Sequence, residues 1–169
     1  NSPRSDWDKN EIFEEIDNIL DLDINEIKFK KNPRDQEASV SALFFECIGN
    51  GMIEDIVPLY CGYKRRYDLY AIWDNKQLVI EFKSHLKNIL KDFSDEQKMF
   101  NEIDCIVCWD VSDEDKQAME NRNLDINEVN NSCFSNNDRI IPNSTHKLVL
   151  SGLTAPIYVI DLKNVLEES

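Results

Sequence analysis

Glycine and proline are both scarce, 4 and 5 of 169 residues, which excludes a flexible linker or a low-complexity chain. No apolar run approaches the ~20 residues that a membrane-spanning helix needs. No basic-then-apolar leader opens the sequence, so no secretory route is expected. The expectation is a cytoplasmic protein without membrane contact. The first residue is Asn1, not Met, so the chain reads as a fragment of a longer protein, with the remaining domains as partners. Five cysteines, an odd number in a chain without a leader, read as reduced thiols. Cys105 and Cys108 have the spacing of a zinc or redox motif. They fall in a stretch, Ile103 to Val111, that reads as a buried strand, where residues three apart point to opposite faces. No second such pair follows, which argues against a metal role.

Positive charge is also in deficit. Lys and Arg number 19 against 33 Asp and Glu, for a net charge of −14, a poor signature for a chain that binds nucleic acid over its whole surface. The basic residues are clustered, however. Lys28, Lys30, Lys31 and Arg34 form one group, Lys64, Arg65 and Arg66 a second, and Lys83, Lys87 and Lys91 a third.

The 41% hydrophobic content suits one domain with a real core. Apolar spacing predicts helices over Lys9 to Leu20 and Asp35 to Gly49, the second capped by Asp35 and ended by Gly49 or Gly51. Strands are expected at Ile56 to Tyr60, Arg66 to Trp73 and Gln77 to Lys83, with Asp74-Asn75 as a hairpin turn. His85 to Asp92 reads as a helix, and Ser94 as the cap of another running to about Asn101. Ile103 to Val111 is the next strand. A polar stretch, 112 to 138, is expected to hold a short helix near 113–121 and then an Asn-rich loop. Lys147 to Leu150 and Ile157 to Ile160 read as further strands, and Leu162 to Glu168 as a helix. Mixed order places the chain in the α/β (α+β) class, with a central mixed sheet flanked by helices.

One segment carries chemistry: Arg66 to Lys83, RYDLYAIWDNKQLVIEFK. A two-residue loop at Asp74-Asn75 sets Trp73 opposite Lys76, Ala71 opposite Leu78 and Asp68 opposite Glu81. The last is a non-hydrogen-bonded pair, with β-carbons about 4.5–5.5 Å apart. Facing carboxylates are destabilising unless a cation lies between them. Oxygen donors at that spacing suit a hard divalent ion, Mg²⁺ or Mn²⁺ in its place. Lys83 shares the face of Glu81, two residues on. Phe82 points the other way, which leaves its backbone carbonyl as a third oxygen ligand. A one-residue change of loop length would break this register.

Tyr67-Asp68 followed by Glu81-Phe82-Lys83 resembles the catalytic signature of the PD-(D/E)XK nuclease superfamily, which includes restriction endonucleases. The resemblance implies a restriction-endonuclease-like core of helix, three-strand meander, helix and strand over residues 35–111. Residues 1–34 would then be an N-terminal helical extension, and 112–169 a variable loop with C-terminal strands and helix. It also implies Asp68 and Glu81 as Mg²⁺ ligands and Lys83 as the group that activates water. Many members add a Glu from the first core helix. Glu37 and Glu46 are the candidates. Helical spacing sets Glu37 beside Phe44 and Ile48 at the edge of the buried face, and Glu46 well away, so Glu37 is preferred as the fourth catalytic and metal-shell residue. Tyr67 stands where the family has Pro. His85, just past the motif, reads as a packing or surface residue.

The expected function is therefore Mg²⁺-dependent phosphodiester hydrolysis, in DNA with RNA left open, in a restriction or antiphage-defence module that can act as a homodimer. Lys64, Arg65 and Arg66, with Lys87 and Lys91 on one helix face, are expected to hold the phosphates. The alternative is a nuclease-like scaffold that binds nucleic acid or protein without cutting. Without metal, Asp68, Glu81 and Glu37 are expected to crowd, with only Lys83 to offset them.

Overall fold

The computed structural model describes residues 8–95, 98–129, 141–152 and 155–168. The chain divides into two units between Asn32 and Pro33. In the first, α1 (Lys9–Asp17) is capped by Asp8, whose side chain accepts from Asn10 N–H. A bridge between Asp21 and Lys31 follows it. The Lys31 ammonium is taken up locally, by the Asp21 carboxylate at 2.8 Å and the carbonyls of Ile19 and Asp17.

The second unit is built on a seven-stranded mixed sheet. Its elements are α2 (Glu37–Gly49), β1 (Ile56–Cys61), β2 (Leu69–Trp73), β3 (Lys76–His85), α3 (Ile89–Ser94), β4 (Cys105–Asp110), α4 (Asp113–Glu120), β5 (Leu124–Glu128), β6 (His146–Leu150), β7 (Ile157–Asp161) and α5 (Leu162–Glu167). The strand order is β1-β2-β3-β4-β7-β6-β5. Parallel pairing joins β3, β4 and β7, and antiparallel pairing joins the rest. The central strands read as central because both faces are covered: every residue of β7 and all but Asp110 of β4 are buried, matching their nearly unbroken apolar sequence.

On one face of the sheet, α2 packs through Phe44, whose ring lies 5.5 Å from that of Phe82 and 6.2 Å from that of Trp73. The opposite face carries a second core in which Leu86, Ile89 and Leu90 meet Ile106, Met119 and Val159. Burial of each large side chain contributes roughly 1.5–3 kcal/mol. Cys105 and Cys108 are buried and point to opposite faces, as strand alternation requires. Burial pushes both thiols up.

The turn between β2 and β3 fixes the register. Asp74 and Asn75 both have positive φ, 51° and 65°, the pattern of a two-residue type I′ hairpin. Trp73 lies opposite Lys76, Ala71 opposite Leu78 and Leu69 opposite Ile80.

Several local expectations are corrected. Asp35 does not cap α2: Gln36 takes the cap position without a side-chain bond, and Asp35 contacts His85 Nε2 at 2.6 Å instead. Ser94 ends α3 rather than capping a further helix, and a 3-10 turn at Phe100–Glu102 follows. Residues 66–68 lie outside β2, because a 3-10 turn at Tyr63–Arg65 precedes it. Lys87 lies in a 3-10 turn, Leu86–Asn88, and Lys91 in α3, so they do not share one regular helix. The polar stretch contains a strand, β5, paired with β6. Most of the expected Asn-rich loop, 130–140, lies outside the described residues.

Candidate functional site

Asp68 and Glu81 continue the β2–β3 register by one step beyond Leu69 and Ile80. They are locked to each other's strands. Asp68 N–H donates to Glu81 Oε1 at 2.9 Å. Phe82 N–H donates to Asp68 Oδ2 at 2.8 Å. Each carboxylate thus satisfies a main-chain donor where the strand ladder stops, and one oxygen of each is left for another partner.

Glu81 is fully buried. Burial, assisted by the nearby Asp68 charge, raises its pKa against the opposing pull of Lys98. The Lys98 ammonium pairs directly with Glu81 Oε2. It also lies 3.4 Å from Asp92 Oδ2. Burial pulls Lys98 down, but the bond to Glu81 more than reverses this, and its pKa is raised. Lys83 sits on the same face of β3 and extends the network, with its ammonium 2.7 Å from Asp92 Oδ2 and 3.6 Å from Glu37 Oε1. Asp92 resists burial through these two lysines, and its pKa is lowered.

The expected crowding of three carboxylates around one lysine is therefore replaced by an alternating chain: Glu81, Lys98, Asp92, Lys83, Glu37. Two members, Asp92 and Lys98, had no local signal in the sequence. Asp92 reads as an ordinary helix residue, and Lys98 reaches Glu81 only because the chain turns back after α3.

Glu37 lines a cavity of about 340 Å³ together with Asp68, Phe82, Cys61, Gly62, Ala38 and Ser41. Glu46 does not line it. Among the described residues no three His, Cys, Asp or Glu side chains form a ready-made metal-binding group. The donor chemistry still suits a hard cation at one place, between Asp68 and Glu81, where Lys98 now supplies the positive charge.

The basic residues divide. Lys64 and Arg65 form a turn with left-handed backbone, φ 55° and 58°. Lys64 Nζ lies 5.4 Å over the Tyr63 ring. Arg66 pairs loosely with Glu102 at 3.4 Å. Gly62 N–H donates to Asp68 O at 3.0 Å, tying this turn to the carboxylate that follows it. Lys87, in contrast, is occupied by Glu114 at 2.7 Å, and its N–H donates to Asp115. Lys91 is exposed on α3.

No helix among the described residues is long and apolar enough to cross a membrane. Comparison with family models, with curated proteins and with solved structures finds no match.

Proposed function

We propose that the chain is a metal-dependent nuclease domain of the PD-(D/E)XK type, hydrolysing phosphodiester bonds, in DNA before RNA. The observation that carries this reading is the cross-strand lock between Asp68 and Glu81, with Lys83 two residues on along the same strand face. Facing carboxylates repel each other, and beyond the two main-chain donors they satisfy the pair is suited to holding a cation.

Asp68 and Glu81, with the Phe82 carbonyl, would hold Mg²⁺ or Mn²⁺. Such an ion neutralises charge developing on the phosphodiester and makes water a better nucleophile. The remaining roles belong to the protein. Lys83, steadied by Asp92 and Glu37, orients the attacking water and places positive charge beside the scissile phosphate. Glu37 opens onto the cavity shared with Asp68 and limits how far Lys83 can swing. Lys98, which pairs with Glu81 and lies 3.4 Å from Asp92 Oδ2, holds the positive charge that a cation bound by Glu81 would replace. Restriction or antiphage defence in the cytoplasm, within a longer protein or a homodimer, is a natural setting for this chemistry, by analogy of fold alone.

Plasmid cleavage with Mg²⁺ or Mn²⁺, against the same protein in EDTA, tests the reading. Loss of cutting in Glu81→Gln and Lys83→Met, with folding retained, is the expected result. Uncut plasmid under all metals would end it.

A second reading, a nuclease-like scaffold that binds without cutting, is favoured by one observation: Lys98 already neutralises Glu81. Retained binding of nucleic acid or a partner chain with no cleavage would select it.

A further inference from the structure

The side of the sheet that carries Glu81 and Lys83 also carries three tyrosines, of which Tyr70 packs partly against the core while Tyr60 and Tyr63 stand exposed. Tyr70 lies opposite Val79 on β3, and strand alternation puts it on the face of Glu81 and Lys83. Tyr60 lies opposite Tyr70 on β1 only because the register shifts between Pro58 and Tyr60. Without that bulge, Leu59 would oppose Tyr70, and Tyr60 would point to the other face. Tyr63 then folds over both, its ring centroid 6.1 Å from that of Tyr60 and 6.4 Å from that of Tyr70, each edge to face.

Tyr70 is half-buried, and the other two rings are open to solvent. Tyr60 is 64% exposed and Tyr63 54%. The turn that presents Tyr63 is costly to form, since Lys64 and Arg65 both adopt the left-handed region, which non-glycine residues avoid. Its result is to place Lys64 over the Tyr63 ring and to group three basic residues, Lys64, Arg65 and Arg66, beside the tyrosines in a chain of net charge −14. Cys61 and Gly62, between Tyr60 and Tyr63, line the cavity that contains Asp68 and Glu37.

We propose that Tyr60, Tyr63 and Tyr70 with Lys64 form a stacking platform for unpaired bases, so that the substrate reaching Asp68 and Glu81 is a single-stranded or locally opened nucleic acid. This deepens the nuclease reading and rests on it for the meaning of "substrate". Exposed aromatic faces hold bases of any sequence, and adjacent cations hold the backbone. Charge complementarity is local: the platform is a basic and aromatic island on an acidic protein.

The test is binding, read by fluorescence anisotropy in EDTA with the Asp68→Asn protein, so that no cleavage intervenes. The probes are labelled oligothymidylate and oligouridylate of about 20 nucleotides, a little beyond one binding site of known single-strand modules, and a duplex of equal length. Either single strand is expected to bind at least about tenfold more tightly than the duplex. Tyr63→Ala should weaken single-strand binding about tenfold or more, as loss of one stacked base does. Tyr63→Trp should retain it, and the salt dependence should stay unchanged because no phosphate contact is lost. Equal affinity for single strand and duplex, or an unchanged Kd in folded Tyr63→Ala and Tyr60→Ala proteins, overturns the proposal. So does a dimer, seen by sedimentation, that Tyr60→Ala dissociates with no effect on oligonucleotide binding. Tight single-strand binding by a protein that never cuts would leave the platform standing and remove the nuclease. Metal-dependent cutting of duplex, unaffected by the tyrosine variants, would do the reverse.

Discussion

Asp68 N–H donates to Glu81 Oε1 across the last step of the β2–β3 hairpin, so the residue that would supply one metal ligand holds the other in place. Truncating either carboxylate to Ala would release a backbone donor across the hairpin, whereas Asn or Gln keeps an oxygen to accept it.

Divalent ions are expected to raise the melting temperature of the wild-type chain, because they bind the folded state alone. At a concentration of 100 times Kd the gain is about 2.7 kcal/mol, and each kcal/mol moves the melting temperature of a chain this size by roughly 2–4 °C. Asp68→Asn and Glu81→Gln should abolish the shift, and Lys83→Met should keep it while lowering cleavage by roughly 10²–10⁴-fold. Calorimetry with and without Mn²⁺ checks the first claim. A shift that survives in Glu81→Gln would place the ion elsewhere.

Lys98→Met should lower metal-free stability by about 3 kcal/mol, since it strands a fully buried carboxylate. The same variant should respond more strongly to Mg²⁺, because the competing ammonium is gone. Urea unfolding at neutral pH measures both. An unchanged midpoint would mean that the Glu81–Lys98 pair is not formed in solution.

The pH dependence has two limbs. The folded-state pKa of Lys98 is raised by Glu81, after burial has pulled the other way. Its contribution is therefore complete below the unfolded value of about 10.4 and is lost as pH rises through the folded one. Burial lowers the pKa of His146, so the unfolded chain takes up its proton first. Stability should fall as pH drops below about 6.5, the unfolded value. Melting curves across pH should show the acid limb softened in His146→Gln and the alkaline limb softened in Lys98→Met.

The hairpin turn sets the register that brings Asp68 opposite Glu81. A glycine inserted between Asp74 and Asn75 should leave a folded protein of lower stability in which metal binding and cleavage are gone, because a one-residue slip turns β3 over. Asn75→Ala keeps the register but removes the polar side chain that eases a residue into the left-handed region, at a cost of about 1 kcal/mol. Its activity should persist. An insertion variant that still cuts would separate catalysis from the Asp68–Glu81 pairing.

The sequence carried the features set by near neighbours. Asp74-Asn75 announced the turn, and period-two alternation then placed Asp68 against Glu81 and Lys83 beside it. The buried strands β4 and β7 were legible from their unbroken apolar runs. What escaped depended on distant contacts. Lys98 and Asp92 gain their roles from a turn after α3 that no local pattern specifies. Asp35 is drawn from the start of α2 by His85, 50 residues away. Strand β5, LDINE, is polar at alternate positions and exposed at several of them, so only its pairing with β6 makes it a strand. The Tyr60–Tyr70 pairing hinges on a bulge, which leaves no mark in composition.

The position of β7 has a consequence for how the molecule is made. Residues 157–161 lie between β4 and β6 in the finished sheet, although both neighbours emerge from the ribosome earlier. Until those residues arrive, the growing chain holds two half-sheets, each with a bare strand edge open to the wrong neighbour. A stop codon or a proteolytic cut upstream of Ile157 would thus divide the sheet rather than trim it. The sheet depends on a segment made after both of its neighbours to close its own middle.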